Sequence, residues 1–179
     1  DEAREVIKTL EKLLEEHERR VREVIKRLEE LIKRHEDRVR EVIETLKRLL
    51  EEAEKIVRRD GPSDKTVKKL RDDLEEIRKE LNKTTKTIKE DLDRTIKELD
   101  EITEDIKRKL DDLRRRINVT SEDMRRLEEV IRKVKEALKR TNDRLREVVD
   151  EVKKRLDKTD EDATRVVEEV KKRIDEAAK

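Results

Sequence analysis

The chain has no cysteine and no aromatic residue, and only one glycine, one proline and one methionine. Without cysteine there is no disulfide, no thiolate metal ligand and no thiol nucleophile. A single glycine leaves no glycine-rich loop to cradle a phosphate. No apolar run approaches the roughly 20 residues needed to cross a bilayer, and no signal or transit peptide is visible. An excess of one charge is missing too. The 52 basic and 51 acidic residues leave a net charge of +1. The two signs are finely interspersed, so there is no field to attract nucleic acid or an anionic membrane. Nothing in the sequence assigns a compartment; soluble, cytoplasmic recombinant expression is the expectation.

What remains is Glu, Lys, Arg and aliphatic residues in 179 positions, enough for one good-sized domain. A charged fraction of 58% against 31% apolar could signal disorder. The near-cancellation of charge and the strict spacing of the apolar residues argue instead for long amphipathic helices.

Two places break the helical pattern. In Asp60-Gly61-Pro62-Ser63-Asp64, Gly61 suits the left-handed residue that ends a helix. Pro62 cannot continue that helix, and Ser63 can cap the next, with Val67 packing back on Pro62. In the stretch from Ile117 to Met124, Asn118 is a second terminator. Thr120 with Asp123 resembles a capping box, Val119 and Met124 have staple spacing, and Ser121 is the rival cap. The expectation is a single all-α domain over 1–179, with helices at about 2–59, 64–117 and 121–177 and loops at about 60–63 and 118–120. Short loops make sequential helices antiparallel, giving an up-down-up three-helix bundle.

The helices share a period. Residues 16–33 and 34–51 are identical at ten of eighteen positions. Eighteen residues are five turns at about 3.6 residues per turn, so the apolar stripe stays straight instead of drifting as a heptad stripe does. Ile7, Ile25 and Ile43 align in the first helix. Leu74, Leu92 and Leu110 align in the second, and Val134, Val152 and Val170 in the third. On this period, the Gly-Pro-Ser-Asp loop, the aliphatic core and the Glu/Lys/Arg surface, the whole chain resembles the parametrically designed, untwisted antiparallel helical bundles, particularly the single-chain three-helix kind. The resemblance implies a rigid scaffold with no catalytic residues. Polar residues inside the stripes make it similar to those designs that carry internal hydrogen-bond networks.

Those polar residues follow the same period. His17 and His35, the two histidines of the chain, lie near the middle of the first stripe. Thr85 and Thr103 stand eighteen apart at the edge of the second, and Thr95 interrupts its interior. Thr141 and Thr159 repeat within the third, where Asn142 and Asp160 repeat at its edge. A buried polar atom without a partner costs about 1–3 kcal/mol, so partners are expected. Folding the chain at its loops sets His17 near Thr103 and His35 near Thr85, each as a histidine–threonine bond. It sets Asn142 near Arg27 and Thr95, and Asp160 near Thr45. Such pairs would penalise slippage by one repeat. The alternative is that these side chains lie at the stripe margins and reach water.

Chemistry beyond this is poorly supported. Zinc or di-metal sites on helices place ligands three or four residues apart, often as Glu-x-x-His. Around His17 those positions hold Leu13, Leu14, Arg20 and Val21; around His35 they hold Leu31, Ile32, Arg38 and Val39. No metal, cofactor or catalytic residue is therefore expected. Ser63 and Ser121 read as caps, not nucleophiles, and the Asn82-Lys83-Thr84 and Asn118-Val119-Thr120 sequons as chance matches. The expectation is a structural scaffold that requires no partner. Two alternatives are one chain of a self-associating or hetero-oligomeric assembly that takes a partner helix, and a bundle that loosens in acid through its histidines.

Overall fold

A computed structural model describes residues 2–61, 64–116 and 121–178. The expected roles of Pro62 and Ser63, and of Asn118, Val119 and Thr120, lie outside these residues. The described chain is all helix: α1 Glu2–Asp60, α2 Asp64–Arg116 and α3 Ser121–Ala177. Each is amphipathic, and each stripe packs against a neighbour, making an all-α three-helix bundle. At the end of α1, Gly61 takes a left-handed backbone with φ of +78°. Its N–H closes on the Val57 carbonyl at 2.9 Å, which satisfies one carbonyl of the last turn.

Residue contacts gather into two compact units, each built from one segment of every helix. The first comprises 1–29 and 91–151, the second 30–90 and 152–179. In the first unit, Leu10 of α1 meets Ile106 and Leu110 of α2 and Leu127, Ile131, Val134 and Leu138 of α3 in one apolar cluster. In the second, Leu46 and Leu50 of α1 meet Val67 and Leu74 of α2 and Val167, Val170 and Ile174 of α3. Burial of Leu10, Leu110, Leu127 and Leu156 is complete. Each such side chain contributes about 1.5–3 kcal/mol relative to exposure.

Ion pairs at the rims record the chain directions inside each unit. In the second unit, Arg71–Asp175, Arg78–Glu168 and Lys89–Asp157 step up α2 while stepping down α3, so these helices are antiparallel. Glu36–Arg155 and Glu54–Arg173 step up α1 and α3 together, so those two run the same way. In the first unit, Asp100–Arg146, Asp111–Lys135 and Arg114–Glu128 again oppose α2 and α3. These half-exposed pairs are worth little each, about 0–1 kcal/mol, and serve as markers of register more than as sources of stability.

Candidate functional site: two buried polar clusters

The first unit contains a chain of hydrogen bonds across all three helices. His17 of α1 is 3% exposed, Thr103 of α2 7% and Asn142 of α3 8%. His17 Nε2 and Asn142 Oδ1 are 2.9 Å apart. Asn142 Nδ2 donates to Thr103 Oγ1 at 2.7 Å, and Thr103 Oγ1 donates to the Leu99 carbonyl at 2.8 Å.

The roles of the atoms follow from one another. The threonine proton is committed to its own helix, so its oxygen can only receive from Asn142. The amide nitrogen must then face Thr103, which turns the amide oxygen to His17. An amide oxygen accepts only, so His17 Nε2 carries a hydrogen and donates it. Each of the three side chains has a hydrogen-bond partner on another helix, which is what makes burial of three polar groups tolerable.

The second unit contains the same three positions displaced by eighteen residues: His35, Thr85 and Asp160. His35 is 6% exposed and Thr85 7%, whereas Asp160 is half-buried. Thr85 Oγ1 donates to Asp160 Oδ1 at 3.5 Å. Among the described residues, His35 Nε2 is the buried side-chain atom left without a hydrogen-bond partner. Burial pushes the His35 pKa below its ordinary value, the Arg38 guanidinium pushes the same way, and Asp160 and Glu36 oppose them. At the rim, Lys89 is held above its ordinary pKa by its hydrogen bond to Asp157. Arg155 donates to both Glu36 carboxylate oxygens from one edge of its guanidinium, through Nη2 and, at 3.4 Å, through Nε.

Several expectations change here. Neither histidine bonds to threonine; at His17 the two meet through Asn142, which is the hub. Asn142 lies against His17, not Arg27, and against Thr103, not Thr95. Asp160 takes its bond from Thr85, not Thr45. Thr45 instead closes on the Glu41 carbonyl of its own helix. The α3 register therefore differs from the one obtained by folding at the loop midpoint: by eight residues on α2, from Thr95 to Thr103, or about 12 Å at 1.5 Å per residue. A loop midpoint assumes helix ends of equal height. Interdigitation of side chains sets the actual register, and it has no reason to respect that midpoint. Thr95, Thr141 and Thr159 join neither cluster. Each returns its hydroxyl to the carbonyl four residues earlier, at Asp91, Ala137 and Arg155 respectively. A threonine can satisfy itself this way at no cost in partners, so its place in a stripe does not imply a cross-helix bond.

Sequence reasoning missed the Glu36–Arg155 pair, although its signal was present. Glu36 and Glu54 are eighteen apart, as are Arg155 and Arg173, and both pairs form. Arginine at 155 and 173 occupies the class begun by Ala137, so the substitution pattern within the repeat pointed to it.

No protein-family model, curated protein or solved structure matches the chain. Among the described residues no group of three or more His, Asp or Glu side chains is placed to hold a metal ion. Among the described residues no helix is long and apolar enough to cross a membrane. An open groove of about 980 Å³ in the first unit runs along α2 and α3 beside Thr103 and Asn142, rimmed by Asp100, Lys107, Lys135 and Arg146. Its charges are mixed and paired across the groove, so no single ligand charge is favoured.

Proposed function

We propose that the chain is a designed structural scaffold, with no natural biochemical reaction of its own, whose internal polar groups fix the register of its helices. The supporting observation is the His17–Asn142–Thr103 chain, in which each helix supplies one member and each member is hydrogen-bonded. A purely aliphatic bundle with an eighteen-residue repeat meets the same apolar pattern again, wherever its helices still overlap, after a slide of one repeat. Polar side chains that find partners in one register penalise the slide. The two clusters are also unlike each other. Sliding α3 by one repeat would bring the Asp160 carboxylate to Thr103 in place of an amide, and Thr103 would lose its donor. The difference between Asn142 and Asp160 therefore gives direction to a repeat that otherwise lacks it.

The test is the apolar triple variant H17L/T103V/N142L. Removing every member together leaves no buried orphan, so stability should be unchanged or higher. The amide NMR spectrum should then show several sets of peaks, one for each register, where the parent shows one. A triple variant with a single set of peaks, as in the parent, would remove the register role.

A second reading, one chain of a larger assembly, is favoured by Leu49 at 37% and Ile56 at 41% exposure on α1, and by Ile102 at 38% on α2. The parent chain discriminates between the two. A clean species of 21.7 kDa in light scattering supports the self-sufficient scaffold, and a larger mass supports the assembly.

A further inference from the structure

The two histidines occupy equivalent places in the repeat, yet the α3 residue opposite each one differs. Asn142 can both accept and donate. The Asp160 carboxylate can only accept. The threonines register the difference. Thr103 receives a bond from Asn142 and gives its own proton to Leu99. Thr85 turns its proton to Asp160, at 3.5 Å. That is long for a hydroxyl–oxygen bond, whose usual range is about 2.5–3.0 Å, so Thr85 does not saturate the carboxylate. Meanwhile the His35 ring, 6% exposed, has a buried Nε2 with no partner. A half-buried carboxylate with one long bond and a buried ring nitrogen without a partner thus sit in one cluster, close enough for the charge of Asp160 to act on His35.

We propose that His35 and Asp160 form a proton-binding site: in acid the imidazole takes one proton from solvent, its Nε2–H donates to the Asp160 carboxylate, and α1 and α3 become joined by a partly buried ion pair while Thr85 still donates from α2. One proton is bound and no covalent bond is broken. The cluster goes from one negative charge to none, and the three-helix connection made by Asn142 at the other histidine is reproduced by a carboxylate and an imidazolium.

The charged groups around the ring on every packed element decide where this happens. On α1, Arg38 opposes the proton and Glu36 favours it. On α3, Asp160 favours it, while Arg155 is engaged by Glu36. On α2, Lys89 is tied to Asp157 of α3 by a 2.7 Å ion pair and also feels Asp160. Burial is the largest influence and acts against the proton, so uptake falls below the ordinary histidine value of 6.5. His17 needs no such rearrangement, because its Nε2–H already has the Asn142 oxygen.

Ring-nitrogen NMR of the two histidines from pH 8 to 4 tests this on the full chain, with variants D160N and R38Q. Position 38 is exposed, and D160N copies the residue that the repeat already uses at 142, so both variants should fold. In the parent, His35 should gain its second N–H below the ordinary histidine range while the backbone amide spectrum stays that of the folded chain. D160N should move the His35 midpoint down, R38Q should move it up, and neither should move the His17 Nε2–H signal. A His35 midpoint that D160N leaves in place or raises would overturn the pairing. So would collapse of the folded spectrum in the same step as protonation.

Discussion

Replacing Asn142 with alanine removes the one side chain that serves both neighbours. The His17 Nε2–H then points into a nearly dry interior without an acceptor, which costs about 1–3 kcal/mol. Thr103 keeps its bond to the Leu99 carbonyl and loses only an incoming donor, about 0.5–1.5 kcal/mol. With the small void left by the amide, the loss comes to about 2–4 kcal/mol, a large part of the usual 5–15 kcal/mol of folding stability. Guanidinium titration at pH 7.5 measures it as a lower midpoint at unchanged slope. In an H17L background the same N142A change should cost clearly less, because no histidine is left to be orphaned, and the difference gives the coupling between the two residues. A loss below about 0.5 kcal/mol for N142A, the value of an ordinary surface substitution, would mean that water serves these groups and would refute the buried chain.

Two further outcomes follow from single residues. The folded His35 holds its proton less tightly than the unfolded one, so the unfolded chain binds more protons as pH falls through 6.5, and stability must fall with it. The loss stops once pH has passed the depressed folded pKa. Denaturant midpoints should therefore be lower at pH 5.5 than at pH 7.5, and H35Q should shrink that difference; an equal difference in both chains would exclude His35 as its source. At the end of α1, a Cβ added to Gly61 meets nothing within 4 Å, so G61A tests the left-handed backbone alone. It should lower stability by about 1–2 kcal/mol, with G61N costing less, and a neutral G61A would show that the turn does not require φ above zero.

The sequence by itself determined the three helices, the faces they bury and the repeat. These depend on information within a few turns of chain: apolar residues recurring at helical spacing, a glycine where the helix must turn left-handed, and a period of five full turns. It also determined that polar side chains recur at matched positions, since His17 and His35, Thr103 and Thr85, and Asn142 and Asp160 are each eighteen apart. Only the tertiary structure decided which of them meet. The α3 register differs by eight residues on α2 from the one the loops imply, and that turned Asn142 from a neighbour of Arg27 and Thr95 into the hub between His17 and Thr103. Thr95, Thr141 and Thr159 look like network members by position, yet each is satisfied by its own helix. The reason is common to all of these. Helix formation and stripe direction are local, whereas the sliding of one helix along another changes no local interaction and is settled only by how side chains from distant parts of the chain fit and bond.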